Sequence, residues 1–230
     1  MAADVLTFNR VVVFCSAIVY WAGVCVQARR VRKRIGRSPN VRPKGLKEKA
    51  LWTGWSVVVL AWMGLPFLSS GTRHQIWWAV VPSMVHPVGT ALGVFMMGVG
   101  YAGTLWCYKA MGNAWRMGID RKAKTDLVMT GPYRFVRHPI YLFQIVMVAG
   151  IAVLLPSLPA LLVLAIHVAC AVTKATDEEK YLRALLGHDY EVYCASSGGW
   201  LPKLFGRKSS AASTPEKTAN HLKPAEQRGH

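Results

Sequence analysis

The sequence predicts an all-α, polytopic membrane protein of about five transmembrane helices. Two observations lead there. Of 230 residues, 53% are hydrophobic, and they gather in runs: Phe8–Gln27, Leu51–Ser69, Val88–Met111, Ile140–Leu155 and Leu158–Thr173. A helix needs roughly 20 mainly apolar residues to cross the hydrocarbon layer. The basic residues are sorted between these runs. Lys and Arg number ten from Arg29 to Lys49, seven from Lys109 to Arg137 and nine from Lys174 onward, and only Arg10 and Arg73 lie elsewhere. Cytoplasmic loops of membrane proteins carry such an excess of Lys and Arg. Five spans then put the N-terminus outside and the C-terminus in the cytoplasm, in a membrane expected to be a bacterial inner membrane.

The elements follow in order. Phe8–Gln27 is apolar nearly all round, as a membrane helix should be. The block Arg29-Arg30-Val31-Arg32-Lys33-Arg34 after it favours a retained helix over a cleaved signal. Residues 28–50 carry ten basic residues, Pro39 and Pro43, and read as a surface segment along the membrane. The second span holds Trp52, Trp55 and Trp62. The following loop holds Trp77 and Trp78, which suit an interfacial aromatic belt, and His74 and His86, which have no cysteine or carboxylate nearby to complete a metal site. The third span is glycine-rich, with Gly89, Gly93, Gly98, Gly100 and Gly103. Small residues let helices approach closely, and Gly98-Val99-Gly100 could instead form the floor of a pocket. The last two runs are short and share the bend Pro156-Ser157-Leu158-Pro159, so they read as a tight helical hairpin.

Composition also excludes function classes. A formal net charge of +17 and a pI near 10.1 could suggest nucleic acid. No nucleic-acid-binding signature accompanies the charge, and topology and anionic lipid account for it. The five cysteines (15, 25, 107, 170 and 194) show no metal spacing and no disulfide pattern. Three parts are expected: residues 1–111, N-terminal spans with a basic loop; 112–208, a core of polar loop, hairpin and amphipathic helix; and 209–230, a polar, disordered tail.

Chemistry concentrates at the two ends of the hairpin. Met129-Thr-Gly-Pro-Tyr-Arg-Phe-Val-Arg-His-Pro-Ile-Tyr141 brings Tyr133, Arg137, His138 and Tyr141 to the mouth of a helix that Pro139 can open without losing a hydrogen bond. Lys174-Ala-Thr-Asp-Glu-Glu-Lys-Tyr-Leu182 closes the next helix, with Lys174 and Glu178 one turn apart on one face. Folding the hairpin joins these ends in a mixed-charge pocket. A zwitterionic cofactor with an aromatic base suits such a pocket: carboxylates for its ammonium, cations for its carboxylate, and apolar groups for the base.

The run Leu127-Val-Met-Thr-Gly-Pro-Tyr-Arg-Phe-Val-Arg-His-Pro-Ile-Tyr141, with Glu178-Glu179-Lys-Tyr-Leu182, Leu186-Gly-His-Asp-Tyr-Glu-Val-Tyr193 and Leu201-Pro202, resembles the superfamily of isoprenylcysteine carboxyl methyltransferases and phospholipid N-methyltransferases. The likeness covers roughly residues 115–202. It implies S-adenosyl-L-methionine as methyl donor and a lipophilic acceptor delivered from the bilayer. By the same likeness Leu127, Val128, Tyr133, Arg137, His138, Pro139 and Tyr141 line the cofactor, Glu178 and Glu179 contact its polar end, and Gly98 and Gly100 sit where phospholipid methyltransferases place a cofactor glycine pair. Lys174 and Glu178 are the expected catalytic residues. The isoprenylcysteine enzymes carry Arg at the position of Lys174, beside the acceptor carboxylate; Lys keeps the charge and loses the bidentate fork. The Lys174 charge leans the expectation towards an anionic acceptor and O-methylation over N-methylation. An amine acceptor needs a base, which Glu178 could supply. The alternatives are a phospholipid amine N-methyltransferase, a sterol-reductase-like enzyme, for which no phosphate-cradling loop is visible, and a catalytically silent scaffold.

Overall fold

A computed structural model describes residues 2–36, 43, 45–68, 80–81, 85–115 and 127–203. It is all-α, as the sequence predicts. Six helices are described: α1 (Ala2–Ile35), α2 (Leu46–Leu68), α3 (Pro87–Met111), α4 (Pro139–Leu154), α5 (Leu158–Leu186) and α6 (His188–Ser196). Four of them, α1, α2, α3 and α5, are long and apolar enough to cross a membrane. The expected tail, residues 209–230, lies outside the described residues, as do Arg73, His74, Trp77 and Trp78.

Two expectations about length are corrected. The fifth run does not stop at Thr173, because α5 continues unbroken to Leu186. Nothing after Thr173 breaks a helix until Gly187, whose positive φ of 53° ends it. The first helix likewise runs past Gln27 to Ile35, so the basic block of residues 29–34 is helical. Its three last-turn cations suit the negative end of the helix dipole. By contrast α4 is short, as expected. Its 16 residues reach about 24 Å, less than the hydrocarbon thickness of about 30 Å.

All five long elements nevertheless run between the same two ends of the bundle. At one end Asn9, buried, donates through Nδ2 to the Leu154 carbonyl at 2.9 Å and accepts from Thr90 Oγ1 at 2.9 Å. These bonds join the start of α1, the end of α4 and the start of α3. At the same end the Val81 amide donates to the Pro156 carbonyl, and Phe14 meets Phe67 edge-on at 5.2 Å. Ser157 and His86 cap α5 and α3 there. The opposite end gathers the last turns of α1, α3 and α5 with the first turns of α2 and α4. Lys47 of α2 pairs there with Asp177 of α5.

Glycines set how closely α3 and α4 pack. A Cβ on Gly100 would lie 2.6 Å from the Phe143 carbonyl oxygen, one on Gly103 2.2 Å from the Phe143 ring, and one on Gly150 2.8 Å from the Gly93 carbonyl oxygen. Gly54 gives α2 the same close approach to Cys170 of α5. This is the small-residue packing that membrane helices use in place of a hydrophobic drive.

The expectation that Gly98 and Gly100 floor a pocket is therefore not met. Gly98 is exposed with nothing within 4 Å of its Cβ position, and Gly100 is buried against α4. Gly100→Ala is expected to destabilise the purified protein by about 1–3 kcal/mol, the usual cost of overpacking, while Gly98→Ala leaves its thermal unfolding and its ligand binding unchanged. Thermal scanning of both variants in detergent checks this.

A candidate cofactor cavity at one end of the bundle

The site is built from the turn before α4. Gly131 has a positive φ of 60°, and its Cβ position lies only 3.0 Å from Ala110 and 3.2 Å from Trp106 Nε1. The chain can pass this close to α3 only with glycine there. Pro132 and Tyr133 follow in a 3₁₀ turn over Gly131–Arg134, and both are buried. Residues 135–138 then lie alongside the chain that leaves α6. The Gly198 amide donates to the Phe135 carbonyl at 3.1 Å, and the amides of Arg137 and His138 donate to the carbonyls of Gly198 and Gly199 at 2.8 and 3.2 Å. Gly198 admits no side chain, since a Cβ would fall 1.7 Å from the Leu201 carbonyl oxygen. The Tyr193 hydroxyl donates to the Tyr133 carbonyl at 2.7 Å. Burial pushes the Tyr193 phenol up to about 12, so it stays protonated as a donor.

Charged groups tie α4 to α5. Glu179 Oε1 accepts from Arg137 Nε at 3.0 Å and lies 3.0 Å from His138 Nε2. Arg137 Nη1 also donates to the Ser197 carbonyl at 2.9 Å, which draws in the strap from α6. Burial lowers the His138 pKa against the opposing pull of Glu179. One position earlier on α5, Glu178 accepts from the Tyr141 hydroxyl at 2.8 Å. His138 stands between Tyr141 and Trp200, with ring centroids 6.1 and 5.7 Å away.

These elements enclose a cavity of about 440 Å³. Eight of the residues singled out in the sequence line it: Leu127, Val128, Tyr133, Arg137, His138, Tyr141, Lys174 and Glu178. Four others do not. Gly98 is exposed, and Gly100 is buried against α4. Pro139 is buried as the first residue of α4, where its missing N–H costs nothing. Glu179, expected at the polar end of the cofactor, lies outside the cavity lining and clamps Arg137 and His138.

The structure also adds residues that sequence reasoning left unassigned. Tyr20, Trp21 and Val24 come from α1, and Glu48, Trp52, Trp55 and Val59 from α2. Tyr108, Trp115, Gln144, Tyr190 and Tyr193 complete the wall. The spacing of 48, 52, 55 and 59 is one helical face, the signal that could have marked α2 as a wall.

Unsatisfied polar groups remain around the cavity. Tyr133 Oη and Tyr190 Oη are buried with no oxygen or nitrogen partner among the described residues, and a thiol, Cys107 or Cys194, stands beside each. Trp21 Nε1 and Gln144 Oε1 are buried and unpartnered as well. Buried polar atoms are normally paired, so the wall suits a ligand that brings its own hydrogen-bonding groups.

Residues 88–189 match the phospholipid methyltransferase family. That family is one of the integral membrane methyltransferases. The matched segment holds the turn, the hairpin and both carboxylates of the cavity end. Two bacterial proteins are similar over more of the chain. The nickel-cobalt-cadmium resistance protein NccN of Alcaligenes xylosoxydans xylosoxydans is 29% identical over 156 residues, covering 60% of this chain and 70% of the relative. The cobalt-zinc-cadmium resistance protein CzcN of Cupriavidus metallidurans is 25% identical over 150 residues, covering 58% of this chain and 66% of the relative.

The clamp gives a direct test of the architecture. Glu179→Gln keeps the shape but loses the charge-assisted bonds to Arg137 and His138. It is expected to lower stability by about 1.5–3 kcal/mol, in line with hydrogen bonds to charged groups. Arg137→Lys, which keeps the charge but loses the Nε and Nη1 geometry, is expected to recover only part of that stability. Chemical or thermal unfolding in detergent measures both.

Proposed function

We propose that the protein is an S-adenosyl-L-methionine-dependent methyltransferase of the membrane that modifies a lipophilic acceptor. The observation that carries this reading is the convergence of eight motif residues, from two stretches 33 or more positions apart, on a single cavity of about 440 Å³. That volume lies within the range of about 300–1,000 Å³ typical of small-molecule sites.

The residues suit the group by type. Glu178 can hold an ammonium, Lys174 and Arg137 a carboxylate, and Leu127, Val128, Tyr133 and Tyr141 an aromatic base. When bound, the donor supplies a methyl group already activated on a sulfonium. What the chain must add is orientation, exclusion of water and, for a protonated acceptor, a base. Tyr141 fixes Glu178 by its hydrogen bond, and Glu179 fixes His138 from behind. Lys174, one turn from Glu178 on the same wall, offsets its charge.

Trp52 and Ser56 of α2 line the cavity and are exposed. A lipid in the bilayer can thus reach the cavity between helices. The names of the two relatives suggest that such a modification serves resistance to divalent metals. Among the described residues no group of three or more His, Cys, Asp and Glu could hold a metal ion. A modified lipid is the contribution we assign to this chain in that setting.

The basic residues support an orientation in which the cavity end, with the cations of residues 29–34, 174, 180 and 183, faces the cytoplasm of a bacterial inner membrane. Single cysteines at positions 40 and 215, probed with an impermeant maleimide in sealed vesicles, are expected to label from the same side. Labelling from opposite sides would overturn the orientation.

Isothermal titration with S-adenosylhomocysteine tests the cofactor. The wild-type protein is expected to bind it. His138→Ala and Glu178→Ala are each expected to lose about 1.5–3 kcal/mol of binding, the worth of a charge-assisted contact, while remaining folded. No binding by the wild type, or unchanged affinity in both variants, overturns the reading.

A further inference from the structure

Below the cavity, towards the middle of the bundle, α1, α2, α4 and α5 enclose a second chamber of about 20 Å³. It shares Tyr20, Trp21, Trp55, Val59 and Gln144 with the larger cavity and adds His167 of α5. The volume is that of about one water molecule. His167 is 3% exposed, and neither ring nitrogen has a hydrogen-bond partner among the described residues. Gln144 is 8% exposed; its Nε2 donates to the Tyr20 hydroxyl at 2.8 Å, and its Oε1 has no partner. Trp21 Nε1 is a third orphan.

Four buried polar atoms without partners thus surround one small chamber inside the spanning part of the bundle. Leaving a buried polar atom unpaired costs stability, and ionisable residues within membrane spans are rare and mark functional sites by default. Packing alone does not call for them, since Trp55 meets the His167 ring edge-on at 5.2 Å and an apolar side chain could fill that contact.

We propose that this chamber is the acceptor subsite: it receives a neutral hydrogen-bonding group of a lipid, a hydroxyl or an un-ionised amine, with Gln144 positioning the group and His167 accepting its proton. The inference rests on the methyltransferase reading. The chemistry of the wall selects the ligand. Gln144 Oε1 only accepts and Trp21 Nε1 only donates, while a neutral imidazole offers one of each. A hydroxyl or an un-ionised amine can donate to an acceptor of this set and accept from one of its donors; a carboxylate can only accept, having no proton for Gln144 Oε1 or His167.

The step balances without another reagent. The acceptor's lone pair forms a bond to the methyl carbon. The carbon–sulfur bond of the sulfonium donor breaks, and its electron pair stays on sulfur as a thioether. The acceptor's proton passes to His167, directly or through one water, and leaves to solvent when the product departs. The wall groups that could interfere with titration of His167 are few. The Tyr20 phenol of α1 lines the chamber, while α2 and α4 present no titratable group to it. Cys170 is the next polar residue on the same helix.

The test uses the full chain in lipid nanodiscs, with S-adenosylhomocysteine affinity and labelled methyl transfer measured side by side. Three probes are offered: phosphatidylethanolamine, a long-chain phenol and palmitate. Transfer is expected to the amine or the phenol and not to palmitate. His167→Phe is expected to slow it about a hundredfold or more, within the usual range for loss of a general base, with the affinity for S-adenosylhomocysteine unchanged. His167→Asn is expected to lose the acidic limb of the pH–rate profile, a change that a merely structural role would not produce. Gln144→Leu is expected to raise KM more than it lowers kcat.

Transfer to palmitate alone, transfer to none of the three probes by a wild type that binds the analogue, or an unaltered pH profile in His167→Asn overturns the proposal. So does a loss of analogue binding in His167→Phe and His167→Asn together, which would make the histidine structural. Failure of the wild type to bind the analogue overturns the methyltransferase reading itself.

Discussion

The carboxylate of Glu179 is the joint on which the cavity end depends. Two antiparallel helices joined by a tight bend are held together at the bend and free to splay at their far ends. Here the far ends are fixed by one side chain that reaches both Arg137 and His138. Arg137 passes the constraint to the strap after α6 through the Ser197 carbonyl. The pair is partly withdrawn from water, with side-chain exposures of 15% for Arg137 and 21% for Glu179. Removing one partner of such a pair strands the other, which is where the cost of breaking it arises. His138 and Tyr141 keep their places on the cavity wall because this joint fixes the first turn of α4.

Polar chemistry is graded along the bundle. The cavity end uses full charges: Arg137, Glu179, Lys47, Asp177 and the Glu178–Tyr141 bond. The far end is closed by neutral hydrogen bonds, Asn9 to Thr90 and Leu154 and Val81 to Pro156. Between them glycines let α3 and α4 approach closely, with Met97, Phe143, Met147 and Leu154 packed against those glycines. That order follows from solvation. Charges are affordable near an aqueous face, neutral pairs tolerate burial, and the middle of a membrane bundle is held best by close backbone contact.

The helices were legible because their signals are long and redundant. Apolar runs of the right length mark the spans, and prolines and glycines mark most of their ends. Where boundaries differ, as at Ile35 and Leu186, polar residues continue a helix that composition alone would end at the bilayer. The motif side of the cavity was legible because its residues fall in two short stretches on one hairpin. The clamping contacts of Glu179 were not legible, because adjacent positions on a helix point about 100° apart and only packing shows that Glu178 lines the cavity while Glu179 meets Arg137 and His138. The walls from α1 and α2 were not legible. Tyr20, Trp21, Glu48, Trp52 and Trp55 reach the site by tertiary packing alone, and an aromatic residue in an apolar span looks the same whether it faces lipid, a neighbour or a ligand.

The two sides of the cavity therefore have different origins. The side formed by residues 127–182 lies within the segment that matches the methyltransferase family, and it carries the groups suited to a charged cofactor. The facing side comes from α1 and α2, outside that segment, and is dominated by Trp and Tyr with a single carboxylate, Glu48. The first side supplies full charges, and the second supplies aromatic surface with two exposed residues, Trp52 and Ser56. Lys174 acts on Glu178, its neighbour on the first side, while the carboxylate of Glu48 stands on the second. Charge is therefore concentrated on the side that the family match covers, and aromatic surface on the side that it does not.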